Sequence, residues 1–165
     1  MKFNSLNPAT SALAIESFEY TRGIRLPKDY VDFLLNTNGG QLNPNESSAE
    51  IPNWNTLLVQ ELFGITEDPG HSITNHRFTN FSDYVHQMML EIGYDPLGQR
   101  LFMDLREGPN HGKIYIHAVY SPPNDPIVID DTGFEDDGDY EQAQLMHVIA
   151  DSFSDLVAML GPAPG

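Results

Sequence analysis

The chain has 165 residues, of which 40% are hydrophobic, so it is long enough to bury a core as a single domain. Its 24 acidic and 8 basic side chains give a formal charge of −16, and such a surface repels phosphate, which argues against nucleic acid as a ligand. The absence of cysteine excludes disulfides, thiolate nucleophiles and cysteine-based zinc sites.

The N-terminal residues predict a short amphipathic helix. Asn7 and Pro8 suit a helix cap and first helical position, and the apolar residues that follow predict a helix ending near Gly23. The N-terminus lacks a continuous apolar stretch of the signal-peptide type, and no later apolar run approaches the roughly 18 residues that span a bilayer. We therefore expect a soluble, cytoplasmic protein that does not bind a membrane.

The segment "LPKDYVDFLLNTNGG" predicts a second helix with a defined start and end. Pro27 presets the backbone of a first helical turn. Leu26, Tyr30, Phe33 and Leu34 follow at helical spacing and form one apolar face. The asparagine and two glycines at 38–40 predict the helix end, because glycine reaches the left-handed conformation without strain.

The next segments are less regular. Residues 41–55 are rich in Asn, Pro, Ser and Glu and predict a long loop, which in a compact domain is usually functional or mobile. Residues 56–65 form a strand candidate, and residues 78–89 are compatible with a helix.

The middle of the chain predicts an antiparallel meander. The runs "LEIGY", "RLFMDL", "KIYIHAV" and "IVID" alternate or are rich in β-branched and aromatic residues, and turn residues separate them. A capping pattern at Ser152 and Asp155 then opens a C-terminal helix. The predicted fold is α+β, with an antiparallel meander sheet packed by two N-terminal helices and one C-terminal helix.

An acidic stretch near the C-terminus is the main candidate for partner binding. Its carboxylate oxygens do not have the spacing of a calcium-binding loop, so a solvated loop is favoured. If the stretch is a binding site, a basic protein surface suits it better than an ion. Trp54 lies in the predicted polar loop and suits either the edge of the core or an interface anchor. The acidic candidates are Asp130, Asp131, Glu135, Asp136, Asp137, Asp139, Glu46 and Glu50.

No pattern predicts catalysis, a metal or a cofactor. His71 and His76, near Glu67 and Asp68, form a loose cluster without zinc-protease spacing. The "GHSIT" run lacks the last glycine of a nucleophile elbow, and no phosphate-binding glycine motif is present. A metal-assisted hydrolase using His71 and His76 is therefore the least favoured alternative.

The segment from Ile15 to Gly40 resembles the SMI1/KNR4 family of the SUKH superfamily. That signature consists of an Ile-Glu pair, then Leu-Pro-x-x-Tyr-x-x-Phe-Leu, then Asn-Gly-Gly. Later blocks occur in the family's order, so the resemblance predicts one domain of this type over residues 1–165. Beside Ile15, the matching residues, expected to be structural, are Glu16, Leu26, Pro27, Tyr30, Phe33, Leu34, Asn38, Gly39 and Gly40.

The resemblance implies an α+β sheet and a binding function without catalysis. In bacteria such proteins frequently neutralise a cognate toxin, often a nuclease, whereas in fungi similar domains are interaction modules. We therefore predict an immunity protein, monomeric or weakly dimeric, that binds a secreted or contact-dependent toxin and covers its basic substrate surface. A regulatory interaction scaffold is the alternative.

Overall fold

The computed structural model describes residues 1–52, 54–75, 88–119 and 141–162. Short 3₁₀ turns cover Pro44–Glu46 and Pro69–His71. Among the described residues, no helix has the length and apolar character needed to cross a bilayer. In chain order the helices and strands are β1 (Phe3–Leu6), α1 (Ala12–Arg22), α2 (Lys28–Asn36), β2 (Gly40–Leu42), β3 (Ser48–Glu50), β4 (Thr56–Leu58), β5 (Glu61–Leu62), β6 (Met89–Tyr94), β7 (Arg100–Asp104), β8 (Ile114–His117), β9 (Met146–Ala150) and α3 (Phe153–Met159).

The main sheet has seven strands in the order β1-β2-β5-β6-β7-β8-β9, and β3 pairs with β4 in a separate two-stranded sheet. Every neighbouring pair in the main sheet is antiparallel. From β5 to β9 the strands lie in chain order, and β6, β7 and β8 within this run are strands of the predicted meander. The α+β class with a large antiparallel sheet is confirmed.

The helices pack their apolar faces on one face of the sheet. Strand residues that are register partners share a face, and the partners Leu101 and Ile116 both belong to the core that the helices cover. The rings of Phe33 and Phe153 join α2 to α3, with centroids 4.7 Å apart. The helix residues in this core include Ile15, Phe18, Tyr30, Phe33, Leu34, Phe153 and Leu156.

Helix α2 begins after Pro27 and ends at Asn36, close to the predicted limits. Tyr30 is fully buried, and its hydroxyl donates to the Phe63 carbonyl at 3.4 Å. Burial raises the pKa of Tyr30 far above its ordinary range, so the phenol stays neutral. The Leu-Pro-x-x-Tyr motif therefore joins a helix start to a buried contact with the sheet.

The Asn-Gly-Gly turn, Asn38–Gly40, connects α2 to β2 at a point of close backbone approach. Asn38 and Gly39 have positive φ angles of 51° and 76°. A Cβ atom on Gly39 would lie 2.3 Å from the Leu62 carbonyl oxygen, and one on Gly40 would lie 2.1 Å from that of Ser5. These contacts explain why the two positions after Asn38 need glycine.

The predicted helix start at Asn7 and Pro8 is wrong, since α1 begins at Ala12 with Ser11 as its cap. The Ser11 hydroxyl accepts from the Ala14 amide at 3.1 Å. The Asn7 side chain donates to the Asn38 carbonyl at 3.0 Å. The Pro8 carbonyl accepts from the Asn38 side chain at 2.7 Å. These contacts hold both residues in an extended connection after the unpredicted strand β1.

The predicted long loop over 41–55 is also wrong, because this region contains most of β2, a 3₁₀ turn and β3. The single strand predicted over 56–65 divides into β4 and β5, which belong to different sheets. The Val59 amide donates to Ser47, whereas the next amide, of Gln60, donates to Tyr94. Tertiary pairing therefore overrides local sequence preference here.

Two predicted elements fall largely outside the described residues. The helix predicted over 78–89 lies outside the described residues except at its end, where Met89 belongs to β6. The strand at 127–130 does so entirely. Strand β9, which follows this gap and pairs with β8, was not predicted.

Candidate protein-interaction site

The acidic stretch that the sequence singles out for partner binding falls outside the described residues. Its part in binding therefore stays a prediction. The residues concerned are Asp130, Asp131, Glu135, Asp136, Asp137 and Asp139.

The other two acidic candidates differ in how much charge they leave available. Glu46 ends a 3₁₀ turn and pairs with the Lys2 ammonium at 2.5 Å. Glu50 ends β3, is exposed, and accepts a hydrogen bond from the Thr56 hydroxyl at 2.6 Å. Only Glu50 therefore presents a carboxylate without a described cationic partner.

Trp54 lies at the tip of the β3–β4 hairpin, where it is half-buried and packs against the core. Its ring lies 5.8 Å from the ring of His147 on β9, measured between centroids. Burial lowers the pKa of His147, so the imidazole under the tryptophan favours its neutral form. Trp54 thus packs at the edge of the core and keeps part of its side chain accessible.

Each lysine and arginine in the described part of the chain already has a polar partner. Arg22 donates to the Thr74 carbonyl at 2.5 Å. The others form ion pairs with carboxylates. The ion pairs are Lys2–Glu46, Arg25–Glu19, Lys28–Asp32, Arg100–Glu91, Arg106–Asp104 and Lys113–Asp151.

Several exposed acids, in contrast, have no lysine or arginine partner among the described residues. Glu16 lies on α1, Glu67 follows β5, Glu107 follows β7, and Glu141 precedes β9. The excess negative charge is therefore presented to solvent, where it attracts cationic surfaces over distances of about a Debye length.

A buried polar cluster lies on the sheet face opposite the helices. Glu61 on β5 is fully buried and accepts from the Tyr94 hydroxyl at 2.9 Å, while its other oxygen contacts Nδ1 of His71. Burial, and then Glu61, raises the pKa of Tyr94 to about 12. Arg100 extends the cluster, with its guanidinium 5.7 Å from the Tyr94 ring centroid and 3.2 Å from a Glu91 oxygen.

His71 connects this cluster to the surface. Its ring borders a groove of about 680 Å³ between Asn7–Thr10 and Ile65–Asp68, and Nε2 lies 3.8 Å from an Asp68 oxygen. His76, its predicted neighbour, is outside the described residues. Within the described ranges, no three His, Asp or Glu side chains are arranged to hold a metal ion.

The geometry around His71 suits structural tethering. The nearby Ser72 hydroxyl is buried and contacts the Thr66 amide and the Thr74 hydroxyl, so it is not oriented toward the imidazole as a nucleophile. Glu61 instead holds the 3₁₀ turn against β5. The sequence did not reveal this pair, because Glu61 sits in the apolar run "LLVQELFG" with no local signal of its distant partner.

The Glu61 contact makes the stability contribution of His71 depend on pH. The hydrogen bond to Glu61 raises the pKa of His71 above its ordinary value of 6.5, more than burial lowers it. The stabilisation is therefore complete below about pH 6.5 and is lost as pH rises through the raised pKa. We expect the melting-temperature difference between wild type and His71→Gln to be larger near pH 5.5 than near pH 8.5.

A matched control is His111→Gln in the turn between β7 and β8. The His111 side chain makes no hydrogen bond or ion pair with the described residues. Its substitution should not reproduce the pH profile of His71→Gln. Equal pH profiles for the two variants would contradict the role assigned to Glu61.

Comparison with known families accounts for this combination of sheet, helices and motif. No curated protein matches the chain significantly. The sequence profile of the SMI1 / KNR4 family (SUKH-1) matches residues 9–159, from just before α1 to the last residue of α3. The match contains the Asn-Gly-Gly turn and the buried Tyr30. The chain therefore belongs to the SMI1/KNR4 (SUKH-1) family, which includes toxin immunity proteins.

Proposed function

We propose that this protein is a bacterial immunity protein that binds a cognate secreted or contact-dependent toxin in the cytoplasm and covers its basic substrate surface. Membership of the SMI1/KNR4 family supports the immunity role. The observation that carries the choice of partner is the charge distribution. The chain carries −16, and every lysine and arginine that the structure describes is already engaged.

The proposed mechanism is competition for a cationic surface. A toxin that acts on nucleic acid needs lysine and arginine side chains to hold the phosphate backbone. An acidic protein is drawn to that surface by long-range attraction and then excludes the substrate. Inhibition requires one bound copy of the immunity protein and no chemical step, so we propose stoichiometric binding without catalysis.

The direct test is to purify the protein with its partner from native cells, identify the partner by mass spectrometry and titrate it by calorimetry. We expect a basic toxin domain bound one-to-one with a dissociation constant in the nanomolar range. The toxin should lose activity when the protein is added. Recovery of an abundant housekeeping complex in its place would favour the scaffold alternative and overturn the immunity proposal.

The acidic stretch yields a second prediction. Reversal of charge at Asp136, Asp137 and Asp139 to lysine should weaken toxin binding by about tenfold or more and reduce its dependence on salt. The reason is that long-range attraction to a basic surface is lost. Calorimetry at several salt concentrations measures both effects.

The control must carry the same change in net charge. A variant with Asp32, Glu107 and Asp151 changed to lysine carries the same change of net charge at exposed positions. The two ion pairs that it loses, Lys28–Asp32 and Lys113–Asp151, lie at the surface, where such pairs contribute little to stability. If both triple variants bind equally weakly, net charge alone controls affinity and the acidic stretch is not the site. Circular dichroism confirms that each variant is folded.

A further inference from the structure

The outer face of α1 exposes two large apolar side chains. Leu13 is 75% exposed and Tyr20 is 90% exposed, while Ile15 and Phe18 on the inner face are buried. Leu13, Glu16 and Tyr20 are spaced at i, i+3 and i+7 and therefore form one stripe along the helix. We call these three residues the α1 stripe. Neither apolar side chain contributes to the core.

Glu16 gives the α1 stripe a negative charge at its centre. It is exposed and makes no hydrogen bond or ion pair within the described residues. The other residues of the family motif, in contrast, have structural contacts. Leu26, Tyr30 and Phe33 are in the core, and Asn38 and Gly39 form the turn. The fold gives Glu16 no described structural contact that would explain an acid at this position.

The surface on both sides of the stripe is also acidic. A depression of about 460 Å³ beside Tyr20 is lined by Glu16, Glu19 and Arg25, and Arg25 is paired with Glu19 at 3.9 Å. On the other flank, Ala14 of α1 borders the groove that contains Glu67 and Asp68. The apolar side chains thus project from a surface with excess carboxylate.

We propose that the α1 stripe is a docking surface for a cationic protein segment that carries apolar side chains between its lysines or arginines. Tyrosine and leucine would supply the buried contact, and Glu16 would pair with a cation of the partner. This proposal rests on the proposed function, since it identifies a face on which a basic toxin would be held. The docking proposal also goes beyond the proposed function, because it assigns binding to α1 in addition to the acidic stretch.

A second copy of the chain fits this surface poorly. Antiparallel contact between two α1 stripes would bring the two Glu16 carboxylates close to the symmetry axis. Each copy also carries a charge of −16, so self-association is opposed over longer distances. The charge distribution therefore selects a cationic partner.

The test uses two synthetic helical peptides of equal positive charge, and it does not require the toxin. One has lysines and a leucine face, and the other has serine in place of each leucine. Fluorescence titration should show the leucine peptide binding wild type about tenfold more tightly than the serine peptide. This ratio should fall to about one in a Leu13→Ser, Tyr20→Ser variant. Glu16→Gln should weaken both peptides.

The matched control is Leu97→Ser, since Leu97 is 66% exposed in the turn between β6 and β7. It should keep the tenfold ratio. Equal binding of the two peptides to wild type would overturn the proposal, as would loss of the ratio in Leu97→Ser. A dimer of wild type that dissociates in the Leu13→Ser, Tyr20→Ser variant would also overturn it.

The outcome is separable from that of the immunity proposal. If purification from cells yields no toxin but the peptide ratio depends on Leu13 and Tyr20, the docking surface stands without the immunity role. If a toxin is found and binds the Leu13→Ser, Tyr20→Ser variant as tightly as wild type, immunity stands and this surface does not hold the toxin.

Discussion

Replacement of Gly39 by alanine is expected to lower the free energy of unfolding by about 3 to 5 kcal/mol, which is among the largest effects of a single substitution. The φ angle of 76° strains any residue with a side chain. The new methyl group would also lie 2.3 Å from the Leu62 carbonyl oxygen and 2.9 Å from that of Phe63. Since these atoms belong to the backbone, the connection between α2 and the sheet must shift. Urea denaturation measures the change.

Gly98→Ala separates the two causes. Gly98 has a similar φ angle of 81°, but nothing lies within 4 Å of the position that a Cβ atom would occupy. This variant should lose only the strain contribution of about 1 to 2 kcal/mol. Equal losses for the two variants would mean that backbone conformation alone requires glycine at 39.

Replacement of Asn38 by glycine is expected to lower the free energy of unfolding by about 3 to 5 kcal/mol through loss of buried hydrogen bonds. The Asn38 side chain is fully buried; it donates to the carbonyls of Pro8 and Ile65 and accepts from the Ile65 amide. Glycine tolerates the φ angle of 51°, so the loss reports the side-chain contacts and not strain. Chemical denaturation monitored by circular dichroism tests this.

The control for Asn38 is the same substitution at Asn36. Asn36 is exposed at the end of α2, and its side chain donates to the Asp32 carbonyl at 2.7 Å. Its change to glycine should cost about 1 kcal/mol or less, from helix propensity. A loss at Asn38 no larger than that at Asn36 would disprove the tethering role of the buried side chain.

Sequence patterns predicted the elements whose determinants are local. The limits of α2 follow from Pro27 and from the glycines after Asn38, and the cap of α3 follows from Ser152, whose hydroxyl accepts from the Asp155 amide at 3.0 Å. The alternating strands β6, β7 and β8 were found for the same reason. In each case the residues that define the element lie within it or next to it.

The elements that were missed depend on distant partners. Three of the four residues of β1 are exposed, so the strand has little apolar pattern of its own. It forms by pairing with β2, which lies more than thirty residues later in the chain. β9 likewise requires β8 on the far side of a long connection. The buried contacts of Glu61 with His71 and Tyr94 join separate elements. No single-sequence pattern contains such pairings, because they arise from the three-dimensional arrangement of the sheet.

The candidate site was predictable in its charge but not in its placement. Net charge follows from composition, and the prediction of a basic partner follows from the net charge. The α1 stripe was not foreseen, because Leu13 and Tyr20 look like ordinary apolar residues of an amphipathic helix. Only the structure shows that Ile15 and Phe18 are buried in the core, whereas Leu13 and Tyr20 are exposed to solvent.

The sheet order has a consequence for how such proteins can diversify. The connections between β5 and β6 and between β8 and β9 are long, yet each begins and ends on neighbouring strands of one sheet. The entropic free-energy cost of closing such a connection rises by only about 0.6 kcal/mol when its length doubles. Insertions and replacements there can accumulate over evolution while the strand register is kept. One scaffold can thereby acquire new recognition sequences without having to evolve a new fold.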